Sequence, residues 1–208
     1  MTTLFDREVE CGICGKTCEI TVMGSSNQWG YADLDLRPPE MYRSTMHVWM
    51  DECPNCGFVS PNLKNELGVT REFIESENYK SCEGHEFISQ LSKRFYRAYM
   101  IYKDKGMDME AFSNLLHCVW ACDDRDDSEI AVELRAKLAD MVDKLDKNDD
   151  LSLMKADFLR RSRQFERVIE EYENVRFEKD ILNQIVRFQI EKSRMGDDKC
   201  YTVEDVIR

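Results

Sequence analysis

Two Cys-x-x-Cys-Gly units in the first 60 residues constrain the fold more than any other feature of the sequence. They occupy residues 11–15 (CGICG) and 53–57 (CPNCG). A two-residue gap lets both sulfurs of a tight turn reach one metal ion at about 2.3 Å, and a second pair completes a tetrahedron. The glycine after each second cysteine supplies the positive-φ residue that closes the turn. The predicted metal ligands are Cys11, Cys14, Cys53 and Cys56.

A structural Zn²⁺ ion is the expected occupant of this site. Thiolate ligands and tetrahedral geometry favour zinc, although four cysteines can also hold iron. An ion with four thiolate ligands has no open position for water, which is typical of a structural rather than a catalytic site. Two other interpretations stay open: a redox-active dithiol, and four cysteines without a metal. A thioredoxin-like dithiol begins a helix in a βαβ context, and the sequence shows no such context.

The separation of the two units is longer than in a compact zinc unit. Residues 15–52 separate them by 38 positions, whereas about 15–20 are usual for a double-cysteine zinc site. We therefore expect an inserted hairpin or loop that carries residues 29–39.

Five further cysteines bring the total to nine. An odd number, in a chain that we expect to be cytoplasmic, argues against a disulfide framework. Cys118 and Cys122 lie four apart among apolar residues of a predicted helix, which favours core packing over a metal site. Cys18 is expected to begin a strand and to point into packing rather than to act as a ligand. The roles of Cys82 and Cys200 stay open.

Composition changes near residue 80. All four prolines and six of the nine glycines precede it, and these residues break helices and favour turns. Residues 1–80 are therefore predicted to form a zinc-ribbon-like domain of strands and loops, with the best strands at 18–23 and 46–52. Residues 81–208 are predicted to be an α-helical domain. The expected fold class is α+β.

Apolar residues recur at helical spacing from residue 86 onward and predict six helices. One clear stripe consists of Phe112, Leu115, Leu116, Val119 and Trp120. Because the links between the helices are short, sequential helices are expected to pack antiparallel as hairpins.

The charge balance disfavours a nucleic-acid partner. The chain carries 41 acidic and 29 basic residues, for a net charge of −12. Residues 1–80 contain 13 acids and 7 bases, which leaves −6 for each part of the chain. Such a chain repels phosphate backbones unless its bases are segregated. The one locally basic stretch, which we interpret as a solvated helix face, consists of Lys155, Arg160, Arg161, Arg163 and Arg167.

No membrane segment is expected. The sequence has no apolar run of the ~18 residues that cross a bilayer, and its polar start does not resemble a signal peptide. We therefore expect a cytoplasmic protein, of undetermined oligomeric state, that does not bind membranes.

The expected function is that of an adaptor rather than an enzyme. Arrays of helical hairpins bind protein or peptide partners through long surfaces and need no catalytic residues. The segment 37–43 is a candidate second contact, since Arg37, Tyr42 and Arg43 are of types enriched in binding hot spots; a rigid connector is the alternative. The competing function is an enzyme, such as a thiol-based oxidoreductase that uses the Cys-x-x-Cys cysteines.

The motifs CGICGKTC and DECPNCGF, with RPPEMYRSTMHVWM before the second, resemble an uncharacterised bacterial family. Members of that family have an N-terminal zinc-ribbon-like segment and a C-terminal region similar to tetratricopeptide repeats. The resemblance implies that Cys11, Cys14, Cys53 and Cys56 bind the metal. It implies no reaction. The repeat-like pattern is clearest over residues 156–172, where Arg163 occupies a position that is often glycine.

Overall fold

A computed structural model describes residues 1–125 and 127–208. Small antiparallel strand pairs come first in the chain and a helical region follows, which confirms the α+β class. None of the helices in these two ranges is both long enough and apolar enough to cross a membrane.

The strands form two antiparallel hairpins. In the first, β1 (Thr3–Glu10) pairs with β2 (Thr17–Ser25), and in the second, β3 (Asp51–Glu52) pairs with β4 (Val59–Ser60). The predicted strand at 18–23 lies within β2. Sequence reasoning missed β1, because its residues are mostly polar and exposed.

The strand predicted at 46–52 is wrong over most of its length. Residues Arg43–Val48 form a 3₁₀ helix, and only the last two positions enter β3. Short side chains hydrogen-bond the local backbone there: the Thr45 hydroxyl donates to the Tyr42 carbonyl, and the Ser44 hydroxyl donates to the Met41 carbonyl, both at 2.7 Å. Such local bonds compete with a strand ladder.

The six longest α-helices fall where the apolar stripes predict them, whereas three short helices, at Arg71–Glu75, Glu77–Lys80 and Val203–Ile207, were not predicted. Neighbouring helices that are joined by short loops pack together, as α3 (Gln90–Asp104) does with α4 (Asp108–Asp123) and α5 (Ser128–Val142) does with α6 (Asp149–Arg161). The stripe of α4 is buried. The helices are α1 (Arg71–Glu75), α2 (Glu77–Lys80), α3 (Gln90–Asp104), α4 (Asp108–Asp123), α5 (Ser128–Val142), α6 (Asp149–Arg161), α7 (Phe165–Tyr172), α8 (Asp180–Arg194) and α9 (Val203–Ile207).

The chain divides into two compact units. The first contains Met1–Gln28 and Glu40–Asp127, and the second contains Trp29–Pro39 and Ser128–Arg208. The sequence-based boundary after residue 80 therefore falls inside the first unit.

Helix α3 belongs with the strands because it holds the second hairpin. Arg97 of α3 donates to the Glu52 carboxylate and, at 3.3 Å, to the Lys80 carbonyl. The Tyr79 hydroxyl donates to the Gly57 carbonyl at 2.9 Å. The bonds of Arg97 connect α3 to residues before position 81, which explains why the change in composition near residue 80 does not separate two units.

The inserted segment 29–39 belongs to the second unit. The Leu34 amide donates to the Tyr201 carbonyl at 2.9 Å, and the Val203 amide donates to the Ala32 carbonyl at 3.0 Å. The insertion therefore pairs with the C-terminal segment of the helical unit, and this accounts for the long separation of the two Cys-x-x-Cys units.

The interpretation of the basic stretch as a solvated face is wrong for Lys155, Arg160 and Arg161, which are buried in α6. Arg163 is exposed and Arg167 is half-buried. Arg160 is 0% exposed and Asp157 is 1% exposed, and they pair at 2.8 Å. Arg161 pairs at 3.2 Å with Asp35 of the insertion. Gln189 accepts a hydrogen bond from Arg160 and donates one to Asp157 at 3.0 Å. Asp157 on the same helix, together with Asp35 and Gln189 from distant parts of the chain, makes burial of these arginines possible.

Candidate metal centre

Each Cys-x-x-Cys-Gly unit forms the turn of one hairpin, and we call residues 11–15 the first knuckle and residues 53–57 the second knuckle. The two turns share one geometry. Gly15 and Gly57 each donate their amide to the carbonyl of the knuckle's first cysteine, at 2.8 and 2.9 Å. Their φ angles are 69° and 73°. The prediction of a left-handed glycine at the end of each unit is confirmed.

The first knuckle packs against the loop that follows the second hairpin. The Gly12 amide donates to the Leu63 carbonyl at 2.9 Å. A Cβ atom at Gly12 would lie only 2.5 Å from the backbone nitrogen of Asn65, so the two segments approach as closely as a glycine allows. This contact brings the two cysteine pairs together.

The four predicted ligands converge on one point. The sulfurs of Cys11 and Cys56 lie 3.7 Å apart, as do those of Cys14 and Cys53. All four sulfurs lie within 4.8 Å of one another. A tetrahedral ion with bonds of about 2.3 Å would place its sulfur ligands about 3.8 Å apart. The four cysteines can therefore bind one metal ion, and both pairs contribute.

Backbone amides face the sulfurs. Burial raises the pKa of Cys11, and the amides of Cys14 and Ile13 partly offset this effect. Burial also acts to raise the pKa of Cys53, but the amides of Asn55 and Cys56, together with neighbouring thiols, outweigh it and lower the pKa to about 6. Amide donors of this kind stabilise thiolate charge, which is the form that a metal ion requires.

Cys18 lies beside this cluster. It is buried, as predicted, and its sulfur is 3.6 Å from that of Cys53. It accepts a hydrogen bond from the Asn55 side-chain amide at 3.8 Å. Its sulfur does not belong to the group of four mutually close sulfurs. The sequence analysis did not predict the contact between Cys18 and Cys53. The available signal was the alternation of side chains along β2, which places Cys18 on the same side as the buried Ile20.

The remaining cysteines lie away from these four sulfurs. Cys118 and Cys122 are fully buried in α4, in agreement with core packing. Cys82 is buried as well, and the His85 ring contacts its carbonyl oxygen at 2.9 Å. Cys200 is exposed.

The three predicted partner-binding residues do not share one compact unit. Arg37 lies in the second unit and is only 5% exposed, which leaves little of its side chain for a partner. Tyr42 and Arg43 lie in the first unit and are half-buried, and the Tyr42 ring packs 5.0 Å from that of Trp49.

Comparison with protein-family models, curated proteins and solved structures found no match. The resemblance to a bacterial family with tetratricopeptide-like repeats therefore stays a prediction.

Proposed function

We propose that this protein is a zinc-stabilised adaptor that binds a protein or peptide partner through its helical hairpins. The observation that carries the metal part is the convergence of four cysteine sulfurs within 4.8 Å. Zinc suits an all-thiolate tetrahedral site because it is a borderline-soft ion without a preferred geometry of its own. Once bound by four thiolates, it would cross-link the two hairpins without an open position for a substrate.

The stabilising role follows from the sparse core around the strands. In β1, seven of the eight residues are exposed, and the remaining one, Val9, is half-buried. A hairpin of this kind buries little apolar surface and is marginal by itself. A metal ion that joins it to the second hairpin would supply the missing free energy.

Elemental analysis tests the metal assignment. The purified protein is expected to contain one zinc per chain, with the four thiols unreactive toward a thiol reagent until a chelator is added. Cys14→Ser should lose the metal, whereas Cys200→Ser, at an exposed cysteine outside the cluster, should retain it. Stoichiometric iron would contradict zinc. A metal-free protein whose Cys11 and Cys14 oxidise reversibly would favour a thiol-based oxidoreductase instead.

A cleft in the second unit supports the partner-binding part. It has a volume of about 370 Å³, and Leu151 and Tyr172 on its wall are buried. Its lining also includes Lys155, which pairs at 2.6 Å with both Asp143 and Glu171. An apolar wall beside fixed charges suits a peptide that inserts one or two apolar side chains.

Partner capture from native extract, followed by cross-linking to locate the contact, tests this part. Val175→Glu places a charge in the cleft at a half-buried position and should abolish capture without lowering the melting temperature appreciably. Glu170→Lys, at an exposed position of α7 outside the cleft lining, is the control. Joint replacement of Tyr42 and Arg43 by alanine tests the second contact element. If Val175→Glu captured the partner as well as the wild type, binding at this cleft would be contradicted.

A further inference from the structure

Strand β1 is an exposed sheet edge. In the part of the chain that the structure describes, its sheet has two strands, so one edge of β1 meets no other strand. Leu4 and Phe5 near its start are 42% and 56% exposed. The free edge of such a strand presents a row of backbone N–H and C=O groups that can pair with another extended chain.

One face of the hairpin is acidic. Alternation places Leu4, Asp6, Glu8 and Glu10 on the same side of β1. Glu19 of β2 lies directly opposite Glu8. Like charges at directly opposed positions destabilise a strand pair. The hairpin thus carries a repulsion that a positively charged ligand would relieve.

The hairpin's arginine lies on the opposite face. Arg7 alternates with Asp6 and Glu8, and its partner across the sheet is the buried Ile20. Arg7 therefore does not neutralise the acidic row.

The charges also discourage pairing of β1 with a second copy of itself. If two copies of β1 paired antiparallel about a two-fold axis, one residue would lie directly opposite the same residue of the other copy. This follows because hydrogen-bonded and non-hydrogen-bonded positions alternate along a strand. In the register with Arg7 opposite Arg7, Asp6 of each copy would lie opposite Glu8 of the other. In the register with Asp6 opposite Asp6, the two Asp6 carboxylates would face one another. Both of these extended registers bring acid against acid.

We propose that β1 binds an extended basic segment of another protein, which adds to the hairpin as a third strand. Main-chain hydrogen bonds to the free edge would supply affinity, and side chains at alternate positions would supply specificity. Lysine or arginine at every second position would face Asp6, Glu8 and Glu10. An apolar residue would follow beside Leu4, whose partner across the sheet is Met23. This surface lies in the first unit and differs from the helical cleft, which lies in the second.

A designed peptide tests the proposal with the full-length protein as purified. The probe is a labelled nine-residue peptide, blocked at both ends, in which lysine alternates with threonine and valine. One control peptide carries glutamate in place of lysine. Another carries N-methyl groups on all of its internal amides, so that neither of its edges can donate to a strand ladder. Fluorescence anisotropy at ~0.15 M salt measures affinity, under conditions that screen long-range attraction. Amide hydrogen exchange locates the site.

Two charge-matched variants separate edge binding from general attraction to an acidic protein. Glu8→Lys changes the edge and also removes the repulsion with Glu19, so its folding should not suffer. Glu86→Lys makes the same charge change at an exposed position of the first unit away from the strands. We expect Glu8→Lys to weaken binding at least tenfold and Glu86→Lys to weaken it less than twofold.

The lysine peptide should slow amide exchange selectively within residues 3–10, and the N-methylated peptide should not bind. Any of four results would overturn the proposal: no binding of the lysine peptide, equal weakening by the two variants, unchanged affinity of the N-methylated peptide, or protection outside β1 only. Self-association of the protein through β1, detected by sedimentation, would also overturn it.

Discussion

Replacement of Arg160 by methionine should strongly destabilise the second unit. Its side chain donates to the carbonyls of Asp197 and Lys199 at 2.9 and 2.8 Å, and also to Asp157 and Gln189. Arg160 is thus the point at which α6, α8 and the C-terminal segment are joined. Methionine fills similar volume but donates no hydrogen bond, so four acceptors lose a partner, and two of them are the buried side chains of Asp157 and Gln189.

The expected loss of stability is about 4 kcal/mol. Hydrogen bonds to a charged group contribute about 1.5–3 kcal/mol each, but they are not additive, and burial of the arginine itself costs free energy. Removal of one partner from a buried ion pair typically costs about 3–5 kcal/mol. Arg161 remains 3.8 Å from Asp157, which keeps the loss within that range.

Urea unfolding measures this loss, and hydrogen exchange locates it. With an m-value of roughly 2–3 kcal/mol/M, the midpoint should fall by about 1.3–2 M. Amides of residues 197–203 should lose protection first. Arg167→Met is the matched control, because Arg167 is partly exposed and pairs with surface carboxylates of Asp140 and Glu171; it should cost less than about 1 kcal/mol. Equal effects of the two substitutions would refute the reasoning.

Three further outcomes follow from local geometry. Gly12→Ala should cost about 2–3 kcal/mol in chemical denaturation, because its Cβ would meet the Asn65 backbone. Gly106→Ala, at φ 67° with open space, should cost only about 1 kcal/mol; equal costs would contradict the clash. Arg163 has φ 62°, so Arg163→Gly should be about 1 kcal/mol more stable than Arg163→Ala, and the reverse order would be inconsistent with backbone strain. Burial lowers the pKa of His117 to about 4, so unfolded chains bind its proton at higher pH than folded ones. The wild type should therefore lose roughly 3 kcal/mol relative to His117→Gln as pH falls from 6.5 to 4, and parallel stability curves would disprove this.

Much of the local structure could be predicted from the sequence, because it depends on spacing within a few residues. The spacing of each Cys-x-x-Cys-Gly unit fixed a turn that ends in a left-handed glycine, as found at Gly15 and Gly57. The period of the apolar residues located α3 to α8. Arg163 occupies a position of the repeat-like pattern that is often glycine, and its backbone is left-handed in the structure, with φ of 62°.

Only the tertiary structure decided which of these pieces belong together. The segment 29–39 joins the helical unit, and α3 joins the strands, through hydrogen bonds between residues far apart in the chain. The same holds for Arg160 and Arg161: a cluster of bases indicates a solvated surface until distant carboxylates and carbonyls supply its partners. Periodicity reports which face of an element is apolar, but it carries no information about the partner of a buried charge. The burial of these arginines, and the free edge of β1, therefore became visible only in three dimensions.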